Sequence, residues 1–298
     1  MVYLQRSWQY YVMLIPVVLY YLIFHFGAYP GLLMAFQDFR ASRGLFGSTF
    51  VGFKHFKVIF GTSSFYTILG NTLTLNLMNL VIYFPAPIIL AILLNEVRHN
   101  NFKRLSQSLM YLPHFFSWVV LGGMVIQILS PSKGIVNMII SSLSGGHTIY
   151  FMASKSWWRF VFVLSSIWKE VGWGTIIYLA AIAGIDSELY EAAAIDGANH
   201  FQQIFHVTLP GMATTIFIML ILRMGSVLNV GMEQIMMLQN AAVNEIADVI
   251  QTYTYRMGVQ QGRYSMTTAI GIFQSVVGMI LILTANWTSK KFTETSII

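Results

Sequence analysis

Long apolar stretches constrain this chain more than any other feature. Six stretches are apolar and long enough to cross a membrane, and they lie near residues 11–36, 68–94, 109–129, 160–183, 212–228 and 268–287. About 20 apolar residues in an α-helix match the roughly 30 Å hydrocarbon core of a bilayer, because each residue rises about 1.5 Å. We therefore expect an all-α, polytopic membrane protein with six transmembrane helices, forming a single domain over residues 1–298.

Composition excludes several other classes of protein. The chain is 56% hydrophobic and only 9% charged, whereas about 25% of the residues in an average soluble domain are charged. This balance excludes a soluble globule and a disordered chain. The lack of cysteine excludes a disulfide scaffold, thiolate metal sites and cysteine nucleophiles. The formal net charge of +6 comes from scattered cations, which indicates contact with lipid head groups and not with nucleic acid.

Local features refine the expectation for two of the stretches. Pro85 and Pro87 lie inside the second stretch and predict a bend or an interruption there. Only Arg6 provides a nearby cation for the first stretch, and no small-residue cleavage site follows it. We therefore expect an uncleaved helix and not a signal peptide. An even number of spans would place both termini on one side.

The connection between the fourth and fifth stretches, residues 186–210, is called the elbow below. It contains four carboxylates and no lysine or arginine. Asp186 or Ser187 can cap a first helix, and an alanine run favours its continuation. Asp196-Gly197 then predicts a turn, and a second short helix follows before Pro210. The residues that give this pattern are Glu188, Glu191, Ala192, Ala193, Ala194, Phe201, Ile204 and Phe205.

The spacing within the elbow resembles the EAA loop of the permease subunits of ATP-binding-cassette (ABC) importers. The matching residues are Glu191, Ala192, Ala193, Gly197, Val207, Leu209 and Pro210, with Val207 where the pattern usually has isoleucine. In that family the loop is a coupling helix that sits in a cleft of a separate ATPase subunit. The resemblance implies ATPase contacts at Glu188, Glu191, Ala192, Ala193, Asp196, Gly197, Phe201, Phe205, Leu209 and Pro210. The alternative is an ordinary surface helix pair.

Other stretches resemble the permeases of oligosaccharide and polysaccharide importers related to the maltose system. They include Asn71-Thr72-Leu73, Pro85-Ala86-Pro87, Tyr111-Leu112-Pro113-His114-Phe115 and residues 167–173. The resemblance covers almost the whole chain and implies the type I ABC importer permease fold. It also implies four kinds of partner: a second homologous permease, two cytoplasmic ATPase subunits, an extracytoplasmic solute-binding lipoprotein and a carbohydrate substrate moved by alternating access.

No phosphate-binding GxxxxGK[ST] loop occurs in the chain, so we expect it to bind no cofactor and to hydrolyse no ATP itself. ATP and Mg²⁺ would be bound by the partner ATPase subunits. Three alternatives remain: a permease for amino acids, peptides or ions, which shares the loop; an ion-coupled secondary carrier; and a membrane scaffold without a solute.

Polar residues inside the apolar stretches are candidates for a substrate path. Lys169, Glu170 and Trp173 lie in the fourth stretch, and Arg223 lies in the fifth. A cation at mid-depth costs about 2.5–3.5 kcal/mol on insertion scales, so these side chains should face protein or a watery cavity. They either line a path for a hydroxyl-rich solute or form structural pairs. No cluster has convincing metal-ligand spacing.

The distribution of cations disagrees with the orientation that the resemblance implies. A cytoplasmic elbow makes both termini cytoplasmic and directs residues 37–67 and 229–267 toward the binding protein. Positive-inside counting instead favours termini outside. The terminal face would carry Arg6, Arg98, Lys103, Arg104, Lys290 and Lys291, and the other face Arg40, Arg43, Lys54, Lys57, Lys133, Lys155, Arg159, Arg256 and Arg263.

Overall fold

The computed structural model describes residues 8–293, and the side chains of residues 8–288. Arg6, Lys290, Lys291 and the predicted placement of the termini therefore lie outside what it describes. Its helices are Trp8–Tyr20, Tyr21–His25, Phe26–Phe36, Gly44–Gly47, Lys54–Phe60, Ser63–Met78, Asn79–Tyr83, Pro85–Asn95, Asn100–Tyr111, Leu112–Phe115, Trp118–Ile128, Ile135–Leu143, Lys155–Ala183, Ser187–Ile195, His200–Gln203, Ile204–Thr208, Leu209–Gly225, Met232–Leu238, Asn244–Ala247, Ile250–Thr254, Tyr255–Gln260 and Tyr264–Thr293. Two short strands, Gln37–Asp38 and Thr49–Phe50, pair antiparallel.

Five continuous helices in the described part are long and apolar enough to cross a membrane. They are Trp8–Phe36, Ser63–Asn95, Lys155–Ala183, His200–Gly225 and Tyr264–Thr288. Each overlaps a stretch predicted from the sequence, and most begin a few residues earlier than predicted. The larger correction concerns the fifth helix, expected over 212–228, which begins at His200 because the second helix of the elbow continues into it.

The third predicted span, 109–129, is not one straight helix. Asn100–Phe115 and Trp118–Ile128 meet at a bend of 104°. The cause lies at residues 112–117, called the break below. Pro113 cannot donate a backbone hydrogen bond, and Phe116 and Ser117 have extended backbones with ψ of 143° and 155°. Ser117 then caps the next helix, since its side chain accepts a hydrogen bond from Val120 N–H.

Contacts within residues 66–253 show that the bent pair crosses the membrane once. Near the start of the second span, Asn71 donates to the carbonyls of Glu245 and Asp248 at 2.8 and 3.0 Å. Lys155, at the start of the fourth span, forms an ion pair with the same Glu245. The second and fourth spans therefore begin on one side, so the bent pair must return the chain from the far end of the second span. Six crossings result.

Pro85 and Pro87 do not interrupt the second span, which runs from Ser63 to Asn95, and the bend that the sequence also allowed stays a prediction. The preceding turn, Asn79–Tyr83, is π-helical, and Phe84 N–H donates to the Asn79 carbonyl at 2.9 Å. Pro85 therefore stands at the first position of the next helical segment, Pro85–Asn95, where proline is well tolerated.

The chain divides into two compact units. One comprises Met1–Phe65 with Thr254–Ser275, and the other Tyr66–Tyr253 with Val276–Ile298. In the larger unit the core surrounds Trp158 and Phe162, whose rings stack at 5.6 Å. In the smaller unit no residue in the most apolar window of Trp8–Phe36 is buried, as expected for a helix surrounded by lipid. The single-domain expectation stays a prediction.

Candidate coupling site and membrane polar cluster

The first helix of the elbow is Ser187–Ile195, and its start carries negative charge. Asp186 caps it, since its Oδ1 accepts a hydrogen bond from Glu188 N–H at 3.0 Å. Glu188 lies in the first turn, where the helix dipole favours a carboxylate, and Glu191 follows in the second turn. Both are exposed, and no ion pair involves either within residues 8–288. These carboxylates are therefore accessible to a partner.

The turn of the elbow depends on Gly197. Its φ is +81°, in the left-handed region, at the turn that the sequence predicted. Ala198 N–H donates to the Ala193 carbonyl at 2.9 Å and Gly197 N–H to the Ala194 carbonyl at 3.1 Å, which together form a Schellman motif. No atom lies within 4 Å of the position that a Cβ would occupy at residue 197. The backbone angle, and not a lack of space, favours glycine.

The second helix of the elbow is continuous with the fifth span. It begins with a capping box: Asn199 Oδ1 accepts from Gln202 N–H at 3.0 Å, and Gln202 Oε1 accepts from Asn199 N–H at 2.7 Å. The helix then runs from His200 to Gly225 through a π-helical turn at Ile204–Thr208, just before Leu209 and Pro210. The elbow and the fifth span therefore share one continuous helix.

Side-chain contacts tie the elbow to two spans. The hydroxyl groups of Tyr190 and Thr208 hydrogen-bond at 3.0 Å, which joins the first elbow helix to the second. His200 Nδ1 lies 3.7 Å from a carboxylate oxygen of Glu96, the residue that follows the second span. The elbow thus contacts the second span as well as the fifth.

The elbow exposes an unusual amount of apolar side chain. Phe201 is 75% exposed and Phe205 63%, and the sequence predicted both on one face. The sequence did not indicate Ile195, at 87% exposed, or Leu189, at 55%. The spacing of apolar residues in the sequence does not mark Ile195 as exposed, because its exposure results from the turn that directly follows it. Clustered apolar exposure beside charged residues is typical of a surface for a protein partner.

Small residues at the turn leave a hollow of about 220 Å³ between the two elbow helices. The residues that line it are Ala193, Asp196, Gly197, Ala198, Gln202, His206 and Val207. Asp196 is exposed at this hollow and, like Glu188 and Glu191, forms no ion pair within the described side chains. The hollow can therefore accept a side chain of a partner beside a free carboxylate.

In the fourth span, Lys169 is 7% exposed and is held by the break in the third span. Its Nζ donates to the carbonyls of His114 and Phe116, each at 2.7 Å, and lies 5.7 Å from the ring centroid of Trp118. These carbonyls would otherwise lack partners at the end of a helix. The contacts support the structural reading of Lys169, which fixes the geometry of the break.

Glu170 and Trp173 meet His114 beside Lys169. His114 Nδ1 lies 2.7 Å from Glu170 Oε2, and its ring stacks on Trp173 at 4.5 Å with an interplanar angle of 3°. Gly172 permits the third span to approach closely at Met110, because a Cβ at residue 172 would clash with the Met110 carbonyl oxygen. The structure thus brings together three of the four residues predicted for a substrate path. It adds His114, whose contact the sequence did not indicate because His114 lies far from these residues along the chain.

Arg223 lies in a separate cavity of the larger unit. This cavity of about 280 Å³ is also lined by Tyr83, Tyr178 and Gly174. The Arg223 guanidinium lies 6.0 Å from the ring centroid of Tyr83 and 3.5 Å from Asn76 Oδ1. The guanidinium group therefore faces protein and a cavity, as expected for a cation within a membrane span.

Six spans in the described residues, polar side chains inside the bundle and an exposed surface between the fourth and fifth spans are typical of a helical membrane permease. Residues 44–294 match the model of the family described as the binding-protein-dependent transport system inner membrane component. This chain belongs to that family, whose members are transport subunits and not enzymes.

Similar proteins agree with the family assignment. The chain is 46% identical over 291 residues to protein LplB of Bacillus subtilis, covering 98% of this chain and 91% of that protein. It is 44% identical over 287 residues to the polygalacturonan/rhamnogalacturonan transport system permease protein YteP of Bacillus subtilis, covering 96% and 89%. A crystal structure of a bacterial alginate ABC transporter, in complex with an alginate pentasaccharide-bound periplasmic protein, contains a chain 41% identical to this one. That match has a TM-score of 0.90 and covers 99% of this chain and 98% of the other. The predicted ABC importer permease fold is confirmed.

Proposed function

We propose that this chain is the permease subunit of an ATP-driven importer that moves an oligosaccharide or polysaccharide fragment across the cytoplasmic membrane by alternating access. The observation that carries the proposal is the elbow, which exposes carboxylates and large apolar side chains while its second helix is continuous with the fifth span. Such a surface suits a partner that supplies force to the helix bundle.

The partner at the elbow is an ATPase subunit, and the assembly contains two of them. They bind ATP and Mg²⁺, and each contacts one of two homologous permeases. Closure of the ATPase pair draws the two elbows together and turns the cavity outward, and hydrolysis returns it to the cytoplasm. The continuous helix from His200 to Gly225 and the Glu96–His200 contact support this route, because both link the elbow to spans.

A cytoplasmic ATPase requires a cytoplasmic elbow. Both termini are then cytoplasmic, and the connections 37–62 and 226–263 lie outside, where a solute-binding lipoprotein delivers the substrate. The description of the family and the periplasmic protein in the related alginate complex support the binding protein. The excess of cations in the outer connections opposes this orientation and calls for a reason of its own.

The substrate is a carbohydrate, and among carbohydrates an acidic one. Two relatives above 40% identity are named for polygalacturonan/rhamnogalacturonan and for alginate. Within the membrane, Glu170, Trp173 and Arg223 contact the passing solute, and Lys169 positions the break beside Glu170 and Trp173. No observation favours amino acids, peptides or ions, and the family assignment disfavours an ion-coupled carrier.

Reconstitution tests the proposal. The permease pair, the ATPase and the binding protein are placed in proteoliposomes, and uptake of a labelled acidic oligosaccharide is measured with ATP inside. We expect uptake that requires ATP, the ATPase subunit and the binding protein together. Uptake that persists without the ATPase under an ion gradient would contradict the proposal, and so would retention of amino acids or peptides by the binding protein.

A further inference from the structure

The smaller unit contains a cup that the coupling mechanism does not use. It has a volume of about 400 Å³, within the range of about 300–1,000 Å³ of small-molecule sites. One wall is residues 38–40 with His55, and the other is residues 262–266. The lining is mostly polar, and Tyr264 presents an aromatic ring that is 44% exposed.

Hydrogen bonds fix the two walls of the cup to each other. Ser265 is buried; its Oγ accepts from Phe39 N–H at 3.0 Å and donates to the Gln37 carbonyl at 2.6 Å. The rings of Phe39 and Tyr264 meet edge to face at 6.1 Å. Gly262 turns the chain with a φ of +67° just before Arg263. The cup is therefore preorganised, which lowers the entropic cost of binding.

The charge of the cup is positive. Its one carboxylate, Asp38, is neutralised, because Lys54 Nζ lies 2.8 Å from Oδ2 and His55 Nε2 lies 3.1 Å from Oδ1. The hydrogen bond from Lys54 holds the pKa of Asp38 below its ordinary value of 3.8. Arg40 and Arg263 are exposed, and neither guanidinium forms an ion pair within the described side chains. Two unneutralised arginines thus face one small cavity.

The cup lies where the outer cations concentrate. Of the nine cations counted on the outer face, six belong to the smaller unit: Arg40, Arg43, Lys54, Lys57, Arg256 and Arg263. Asp38 is the one carboxylate in residues 8–65 and 254–275. Positive-inside counting disfavours cations on the outer face in the proposed orientation. A role in binding would explain why these cations are present there.

We infer that the cup between Arg40 and Arg263, on the side of the membrane that the proposed orientation makes extracytoplasmic, binds one uronate residue of an acidic oligosaccharide. The two guanidinium groups hold the carboxylate through paired N–H donors. The apolar face of the sugar ring packs on Tyr264, and its hydroxyl groups reach the polar rim. The inference rests on the proposed function for the kind of solute and adds a site outside the membrane-spanning path. A polar concave cup of this size suits a sugar ring better than a flat protein surface.

Direct binding tests the inference. The assembled transporter is placed in nanodiscs without the binding protein and titrated calorimetrically with trigalacturonate or neutral maltotriose. We expect trigalacturonate to bind at least about tenfold more tightly than maltotriose, and the variant R40Q/R263Q to lose at least about tenfold in affinity for it, since each factor of ten corresponds to about 1.4 kcal/mol. The matched control R43Q/K57Q removes two exposed cations of the same connection outside the cup, and it should bind as the wild type does.

Several results would overturn the inference. They are equal affinity for both sugars, no binding of trigalacturonate, or equal losses in R40Q/R263Q and R43Q/K57Q. A fourth is unchanged sugar binding in R40Q/R263Q together with a raised half-saturating concentration of binding protein in uptake, which would make the cup a docking point for that protein. Failure of the proposed importer function would give a different pattern, because the binding of trigalacturonate requires no ATP hydrolysis. Uptake would then not depend on the ATPase, whereas trigalacturonate would still bind and R40Q/R263Q would still weaken that binding.

Discussion

Replacing Gly197 with valine perturbs the elbow through one backbone angle. Gly197 holds a φ of +81°, and the space around its Cβ position is open. An L-residue in this region costs about 1–2 kcal/mol, and a β-branched side chain such as valine is among the least tolerant. Because no atom would clash, the whole cost comes from the backbone. A cost of this size lowers the population of the native turn by a factor of about 5 to 30.

The assay compares three variants in proteoliposomes that contain the assembled transporter. Gly197→Val should lower uptake per ATP hydrolysed by about tenfold, since the Ala198–Ala193 and Gly197–Ala194 hydrogen bonds form only in the left-handed turn. Gly197→Ala should give a smaller loss. Gly197→Asn should remain close to the wild type, because asparagine tolerates this region. Membrane insertion and protein yield should be equal in all three, since residue 197 lies outside the spans.

Two results would refute this reasoning. Full coupling in Gly197→Val would mean that the turn is unimportant for force transmission. Equal damage from Gly197→Asn and Gly197→Val would mean that the side chain obstructs a partner, and that the backbone angle is not the cause.

Three further predictions concern other contacts. Glu191→Lys should abolish coupled uptake while leaving insertion intact, since it reverses an exposed charge at the start of the coupling helix; Lys57→Gln serves as a control, and normal uptake in Glu191→Lys would count against the ATPase contact. Lys169→Met should lower the melting temperature in detergent by several degrees, because leaving buried carbonyls such as those of His114 and Phe116 unpaired costs about 1–3 kcal/mol each; Lys169→Arg should recover part of the loss, and an unchanged melting temperature would contradict this account. Lys155→Gln should lower the melting temperature at pH 7, and the difference from the wild type should shrink as the pH is lowered below 4.5. The hydrogen bond from Lys155 lowers the pKa of Glu245 from 4.5, so the stabilisation is complete above pH 4.5 and is lost as the pH falls through the lowered pKa; a difference that stays constant as the pH falls would contradict it.

The parts of the fold that follow from local sequence were predictable. Apolar length located the spans, and the Asp196-Gly197 pair located the turn of the elbow, where Gly197 has a positive φ. The break in the third span was missed although Pro113 was visible. A single proline allows either a kink or a continuous helix, and here the outcome depends on Lys169, which holds the carbonyls of the break from another span.

The candidate site was also predictable only in part, because some of its contacts join residues that lie far apart in sequence. Glu191, Phe201 and Phe205 were identified from spacing, and the structure exposes all three. The partner of Glu170 was not identified, because His114 lies 56 residues away in sequence and nothing local pairs them. At Pro85 the sequence allowed an interruption that the structure does not show; a π-helical turn at Asn79–Tyr83 precedes the proline, and no residue pattern predicts that turn.

Cysteine labelling of the elbow tests the central claim most directly, because the natural chain contains no cysteine and Phe201→Cys provides a single reactive position. The account predicts that a membrane-impermeant maleimide labels Cys at position 201 in inside-out vesicles only when the ATPase subunits are absent, and that a short bifunctional reagent joins it to the ATPase when they are present. Labelling from outside intact cells, or equal labelling with and without the ATPase subunits, would contradict the account.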